Sequence, residues 1–558
     1  MEPVPSKNSN AARKPDKLAE RDARASQGNP EGSLFKSWVL PCFLIGGVAI
    51  LSYVFLRILD IYTGVPIEKF LHDSPGSVFF LTNPKDVGDA IGGVAEVLIA
   101  ILGLVVTVVA IVVQLAAQRY TPKLVELFIS DWINISFFGF MVVASVYSLL
   151  LIYSTTSGFL PFWGSLMLLA MTTLILSLLI PYFSYVFHFL TPENIIRIIR
   201  RNANKAMKKV LETKPKKEEV RRLQNEVANA MAQISDIALS AVSQMDRSVS
   251  LMSIRSLKDV MVDHLLIKRK MPGRWFVPAK DHFPAISADF IQELYVGRNW
   301  VEMKGFLDME LIFKMAIKDM PDAVSAIANG TRIAGLYAIK LNDRQVLMDV
   351  IQIFNTFLRH AVNARNPKAI YNLFYQYRQL AEAVLSFDQE LVERIAFYFK
   401  YYGQIAQSYN IPLILITASF DLAHLLKRAY ELKVPNLNVL INTFLEIDDN
   451  PATQANEFDL RSVRKAQLLF ASFLQSQGDT ELLQRIVEDL KVEPQQRMES
   501  IRKEMMAVKD RKFWEVTDRG VDFFYMDDEQ KKYLNQFYTT HIEPHFAASE
   551  PVLKVQQG

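Results

Sequence analysis

Four apolar runs, at about residues 38–60, 92–117, 132–155 and 159–189, constrain this chain more than any other feature. Each can cross a hydrocarbon core, which takes roughly 20 apolar residues. Hydrocarbon offers no water to backbone N–H and C=O groups, so such runs must be helices that bond internally. The third and fourth are joined by the uncharged Ser157-Gly158 and form a tight hairpin.

Lysine and arginine set the orientation. The leading segment holds Lys7, Arg13, Lys14, Lys17, Arg21, Arg24 and Lys36, whereas the loop from Ile61 to Ile91 has only Lys69 and Lys85. Arg119 and Lys123 follow the second run, and Arg197, Arg200, Arg201, Lys205, Lys208 and Lys209 follow the fourth. The positive-inside rule then places both termini in the cytoplasm. Residues 1–33, rich in Ser, Asn, Pro, Ala and charge, read as a disordered cytoplasmic tail, not a cleavable signal peptide. The organisation expected is this tail, a four-helix transmembrane domain over 34–190, a juxtamembrane helical segment over 191–267, a linker over 268–285 and a cytoplasmic helical domain over 286–558. A net charge of +3 does not suggest a nucleic-acid partner. The one cysteine, Cys42, lies in an apolar run and rules out a disulfide framework or a cysteine-based zinc site.

Within the second run, Glu96, Ala100, Gly103, Thr107, Ala110 and Gln114 recur at spacings of four and three, one face of a helix. The fourth run aligns Thr173, Ser177, Pro181, Ser184 and His188, and the third aligns Asn134, Met141, Ser145 and Ser148. The plainer expectation is that these semi-polar faces pack together, with hydroxyls bonding across helices. The sharper one is a water-filled path in an oligomer, with Glu96 as a ring charge at its outer mouth.

After the fourth run, Thr191-Pro192-Glu193 is a good helix start. The helix it opens joins Ile195, Ile198, Ile199 and Val210 to the six basic residues above, which suits an interfacial helix on anionic headgroups or an ordinary stop-transfer flank. Farther on the pattern is helical almost throughout. Starts recur at Pro321-Asp322, Asn342-Asp343, Asn366-Pro367, Phe387-Asp388, Pro435-Asn436 and Gly478-Asp479. Their spacing is often about 22 residues, so two helices make a unit of about 44, near the length of HEAT-type repeats. The fold class expected is all-α: four transmembrane helices, then a large α-solenoid-like domain, or an antiparallel bundle without true repeats. The stretch Lys268-Arg269-Lys270-Met271-Pro272-Gly273-Arg274-Trp275 breaks the helical pattern and reads as a solvated linker, or as a contact with membrane phosphates or nucleic acid. Tyr371, Phe374, Tyr375, Tyr377, Phe397, Tyr398, Phe399, Tyr401 and Tyr402 read mostly as core, or else as an interface.

No catalytic motif assembles. There is no phosphate-cradling Gly loop, no Gly-x-Ser-x-Gly elbow and no His-Glu-x-x-His pair. His264, His360 and His424 each lack a second ligand at metal-binding spacing, and Asp448-Asp449 lacks an EF-hand's alternating ligands. The expectation is a protein that is no enzyme and needs no cofactor.

The run from Val113 through Gln114, Leu115, Ala116, Arg119, Tyr120, Thr121, Pro122 and Lys123 to Leu124 resembles the signature of a bacterial family of predicted four-span membrane proteins of unknown function. Phe128, Asp131 and Gly139 are similar to that family's continuation, as are Phe183 and His188 farther on. Ala238-Leu239-Ser240-Ala241-Val242-Ser243 resembles a further family segment, although the Asn-Asp-Pro that usually follows is replaced by Gln244-Met245-Asp246-Arg247. The resemblance covers roughly residues 90–250 and implies a bacterial inner membrane. Read from the residues themselves, Thr121-Pro122 would start a short cytoplasmic helix, anchored at the headgroups by Arg119 and Lys123. The function expected is a membrane-anchored interaction or sensor scaffold for an unidentified cytoplasmic protein, possible as a homo-oligomer. The alternative is an oligomeric ion channel lined by the second span, with Glu96, Thr107 and Gln114 along its path.

Overall fold

The computed structural model describes residues 40–63, 84–119, 124–154, 161–213, 215–411, 413–449, 457–513 and 519–549. All regular structure among them is helical. The tail over 1–33, the Ser157-Gly158 turn and most of the Ile61–Ile91 loop lie outside the described residues. The chain divides into two compact units, Met1–Thr191 and Pro192–Gly558, so the expected juxtamembrane segment belongs to the second.

The first unit contains α1 (Leu40–Thr63), α2 (Pro84–Arg119), the short α3 (Leu124–Ile129), α4 (Trp132–Ser154) and α5 (Phe162–Phe189). Three stretches among the described residues are long and apolar enough to cross a membrane: Asp86–Gln118, Trp132–Ser154 and Phe162–Phe189. The first expected crossing forms a helix, α1, but is not one of those three. α4 packs against α1, α2 and α5 and is the centre of the group. Its small and polar positions Gly139, Ala144, Ser145 and Ser148 are all buried there.

The second unit begins with α6 (Pro192–Thr213), α7 (Lys217–Ser243) and α8 (Arg247–Ile267), which pack on one another. After three short 3₁₀ turns come α9 (Ala288–Gly297), α10 (Trp300–Ala316), α11 (Pro321–Lys340), α12 (Arg344–Asn363), α13 (Pro367–Val384), α14 (Gln389–Ser408), α15 (Ile414–Glu431), α16 (Leu437–Leu445) and α17 (Glu457–Gln477). α18 (Thr480–Leu490), α19 (Gln495–Ala507), α20 (Asp528–Phe537) and α21 (Glu543–Ser549) complete it. α8, α11, α13, α15, α17 and α20 pack in sequence as one layer, and α10, α12, α14 and α16 as another. The result is a repeat-like body of helical hairpins.

Turn chemistry explains the hairpins. Met245, Asn342, Arg365, Asn410, Lys433 and Gly478 all adopt positive φ, between 50° and 72°. In each case the next residue's N–H closes a Schellman bond to a carbonyl five residues back: Ala241, Ala338, Ala361, Ala406, Ala429 or Leu474. Where that next residue is Asp246, Asp343, Asn366 or Asp479, its side chain also accepts the N–H three positions on and starts the following helix. One residue pair thus ends a helix and begins its neighbour. The six start signals read from the sequence all coincide with helix starts in this body.

Candidate functional site

The polar stripe of α2 does not face its neighbours. Glu96, Ala100, Gly103, Thr107, Ala110 and Gln114 are all exposed, while Val105, Val109 and Val113 are at most 5% exposed. At 100° per residue the two sets lie roughly 140° apart around the helix. On α5 the story repeats: Thr173, Ser177, Pro181, Ser184 and His188 point outward. Only the set on α4, Asn134, Met141, Ser145 and Ser148, is buried. The expectation that three semi-polar faces pack together is therefore overturned. Aliphatic packing takes the inward side of α2, at Val105, Val109 and Val113, and the outward hydroxyls need no partner, just as buried Ser145 and Ser148 need none beyond their own helix. Thr107 donates to the Gly103 carbonyl, Thr173 to Leu169 and Ser177 to Thr173, each at 2.8 Å, so these hydroxyls are satisfied within their own helices.

Two polar knots hold the first unit together instead. Asp131 accepts from the Ile133 N–H at 3.0 Å, as a start signal for α4, and from the Tyr185 hydroxyl of α5 at 2.7 Å. Beside it the Tyr182 hydroxyl donates to Asn134 at 3.2 Å, Asn134 donates to the Phe128 carbonyl at 2.8 Å, and the Tyr182 ring stacks on Phe137 at 3.8 Å. Phe128 meets Phe189 edge-on at 5.5 Å. At the other end of α4 and α5, Asp60 of α1 accepts from the N–H groups of Trp163 and Gly164 at 2.8 and 3.3 Å, capping α5. Tyr147 donates to the Gly164 carbonyl at 3.1 Å. A Cβ on Gly164 would stand 2.7 Å from Leu151, so a larger residue requires that side chain to shift. Both carboxylates cap helices.

The second unit buries a polar core that the sequence did not disclose. His264 and Glu302, 38 residues apart, are both fully buried and 2.6 Å from each other through Nδ1 and Oε1. The Trp275 indole N–H donates to His264 Nε2 at 2.9 Å. An indole can only donate, so Nε2 accepts and the imidazole proton sits on Nδ1, directed at the carboxylate. Burial pushes Glu302 up, but His264 and Lys268 outweigh it and hold the group below the usual glutamate value. The Trp275 carbonyl receives Trp300 and Gln224, each at 2.8 Å. Next to this knot, burial raises Asp349 to about 7 despite hydrogen bonds from Asn299 and Gln345.

The stretch over 268–275 is accordingly no solvated linker. Trp275 and Phe276 are core residues, Lys268 pairs with Asp343 at 2.5 Å, and Arg269 donates to the Leu341 carbonyl. Burial of Trp275 and Phe276 offsets part of the entropy lost in ordering the segment. A second buried charge knot lies among α13, α15 and the segment before α20. Asp421, 0% exposed, takes Arg519, with Nη2 2.8 Å from Oδ2, and Arg378 at 3.0 Å. The Arg519 guanidinium lies over Tyr371 at 4.4 Å and Phe523 at 5.2 Å. Burial and the flanking Arg378 lower His424 to about 4. Of the aromatic cluster, Phe374, Tyr377, Phe399 and Tyr402 are core, whereas Phe397 and Tyr401 are exposed on α14 and stack at 6.2 Å.

The pattern of these contacts meets an independent sequence comparison. Residues 36–267 match the model of a family described as predicted membrane proteins, DUF2254. This stretch is similar to the DUF2254 family. It runs from the start of α1 to the end of α8, so His264 lies inside it and its partner Glu302 outside. Among the residues by which the chain resembles such a family, Phe128 and Asp131 form the knot at α4 and α5, and Gly139 is buried in α4. Gln114 is exposed; Arg119 closes α2, and Pro122 and Lys123 lie outside the described residues. No curated protein matches the chain. Among solved structures it is similar to a "Circular tandem repeat protein with novel repeat topology and enhanced subunit contact surfaces". That likeness has 14% identity and a TM-score of 0.33, over 84% of this chain and 97% of the other.

Proposed function

We propose that the protein is a membrane-anchored scaffold. α1, α2, α4 and α5 make four crossings of a bacterial inner membrane, both termini are cytoplasmic, and the body after α6 is an α-solenoid that presents its surface to a cytoplasmic protein. The observation that carries this reading is the stack of αL-capped hairpins, an architecture that builds extended binding faces. The exposed Phe397–Tyr401 pair on α14 is the apolar spot we assign to partner contact. Of two histidine–carboxylate pairs among the described residues, His264–Glu302 is sealed from solvent, which favours a structural role for it, and His360–Glu310, at 2.9 Å, is partly buried between α10 and α12. In-cell photo-crosslinking from position 401 of the full chain tests the scaffold: a discrete cytoplasmic adduct, lost in Phe397→Ser, is expected. Adducts only to lipid or to the chain itself would count against it.

A second reading is an oligomeric ion channel lined by α2. The outward stripe favours it, because hydrocarbon gives Glu96 and Gln114 no partner and a neighbouring copy or a wet axis would. Ion flux in liposomes, compared between the wild type and Glu96→Gln, decides the matter. Flux no greater than in empty liposomes removes the channel.

A further inference from the structure

We propose that the outward face of α6 docks on anionic lipid headgroups by charge alone, without inserting into the bilayer. The helix has two unlike sides. Ile195, Ile196, Ile199, Met207 and Val210 are at most 2% exposed, packed against α7 and α8. The apolar side is therefore spent inside the protein and is not free to enter lipid as that of an interfacial amphipathic helix does. On the other side Arg197, Arg201, Lys205 and Lys208 are all exposed, at spacings of four, four and three that align them in one stripe. Among the described residues no carboxylate pairs with any of the four. Arg200, by contrast, is turned inward and held by Asp259 at 2.6 Å and Asp263 at 3.1 Å. The helix's two acids, Glu193 and Glu212, stand in its first and last turns, outside the run of cations.

The occupant follows from chain connection. Only Leu190 and Thr191 separate the end of α5 from the start of α6. Two extended residues reach at most about 7 Å, less than the Debye length of about 8 Å at physiological salt. The helix that carries the stripe thus begins within the field of the membrane that α5 leaves, and Arg197 stands little more than one helical turn farther on. Four cations immediately beyond a crossing fit acidic phospholipid headgroups. A stripe without an apolar companion makes the contact salt-labile, so lipid composition and ionic strength would set how closely the helical body lies against the bilayer.

The test uses the full chain in nanodiscs, with Cys42→Ser and a fluorophore on Asn202→Cys, an exposed site beside the stripe. Neutral lipids carrying a headgroup quencher report proximity in phosphatidylcholine discs and in discs one-third phosphatidylglycerol. Stronger quenching in the anionic discs is expected, fading between 50 and 500 mM salt. Each cation near such a surface is worth about fivefold in the docked population. The combination Arg197→Gln, Arg201→Gln, Lys205→Gln and Lys208→Gln should therefore abolish the difference. A charge-matched control with Lys318→Gln, Lys340→Gln, Lys368→Gln and Lys503→Gln, all exposed, should keep it. Equal quenching in both discs, or no response to the stripe substitutions, overturns the proposal and leaves the scaffold reading standing. No quenching in any disc overturns both this proposal and the placement of α6 beside the membrane.

Discussion

Glu302→Ala leaves the His264 imidazole with a proton donor and no acceptor in a site without solvent. Leaving a buried donor without its acceptor costs about 1–3 kcal/mol. The full chain in detergent should accordingly melt several degrees lower, and Glu302→Gln, which keeps an acceptor, should lose less. Asp349 carries a pH signature of its own. Its folded value, raised by burial to about 7 from 3.8, means the folded state holds this proton more tightly than the unfolded chain does. Its penalty is absent below about pH 4 and fully present above about pH 7. Relative to Asp349→Asn, the wild type should therefore gain thermal stability as the pH falls from 8 to 5. A pH-independent difference between the two melting curves would show that Asp349 is not the group being titrated. His264 gave the sequence reader no hint of this network, because its acceptor lies on another helix and its donor, Trp275, sits in a stretch whose basic residues look solvated.

At the level of single helices, the hairpin turns join two devices of opposite worth. Asp479→Ala removes a capping acceptor and should cost about 1 kcal/mol. Asp343→Ala should cost more, since the same carboxylate also holds Lys268. In the other direction, Arg365 pays for a left-handed backbone with φ of 50°. Arg365→Gly should raise stability, because glycine carries no Cβ penalty there; a lower melting temperature would mean that the arginine side chain does more than occupy the turn. These turns were legible in the sequence because the signals are local. Asn342-Asp343 and Gly478-Asp479 state a stop and a start within two residues, and Asn366-Pro367 states the start alone. The direction of the α2 stripe was not legible. A helix with an aliphatic face and a small polar face can pack by either, and hydroxyls do not betray the choice: exposed Thr107 and buried Ser145 both bond within their own helices.

For the whole molecule, the outward stripe bears on assembly. Paired copies touching along α2 would bring residue 110 of one copy near its counterpart, so Cys42→Ser with Ala110→Cys should give an oxidation-dependent dimer in membranes. A cysteine on the buried side, Val109→Cys, should not. Absence of both species would show that lipid alone covers the stripe. The overall plan of apolar helices followed by a helical body was readable from hydropathy and caps, whereas the tie between distant parts was not: Arg519 finds Asp421 from 98 positions away. A related consequence concerns Gly305, whose missing Cβ leaves room for Met261, a side chain that would otherwise stand 2.3 Å away at its sulfur. Together with His264, that methionine nests into α10, downstream of the DUF2254 match. Excising the protein at residue 267 would bare a greasy patch and an orphaned imidazole, so shortened forms should be cut elsewhere.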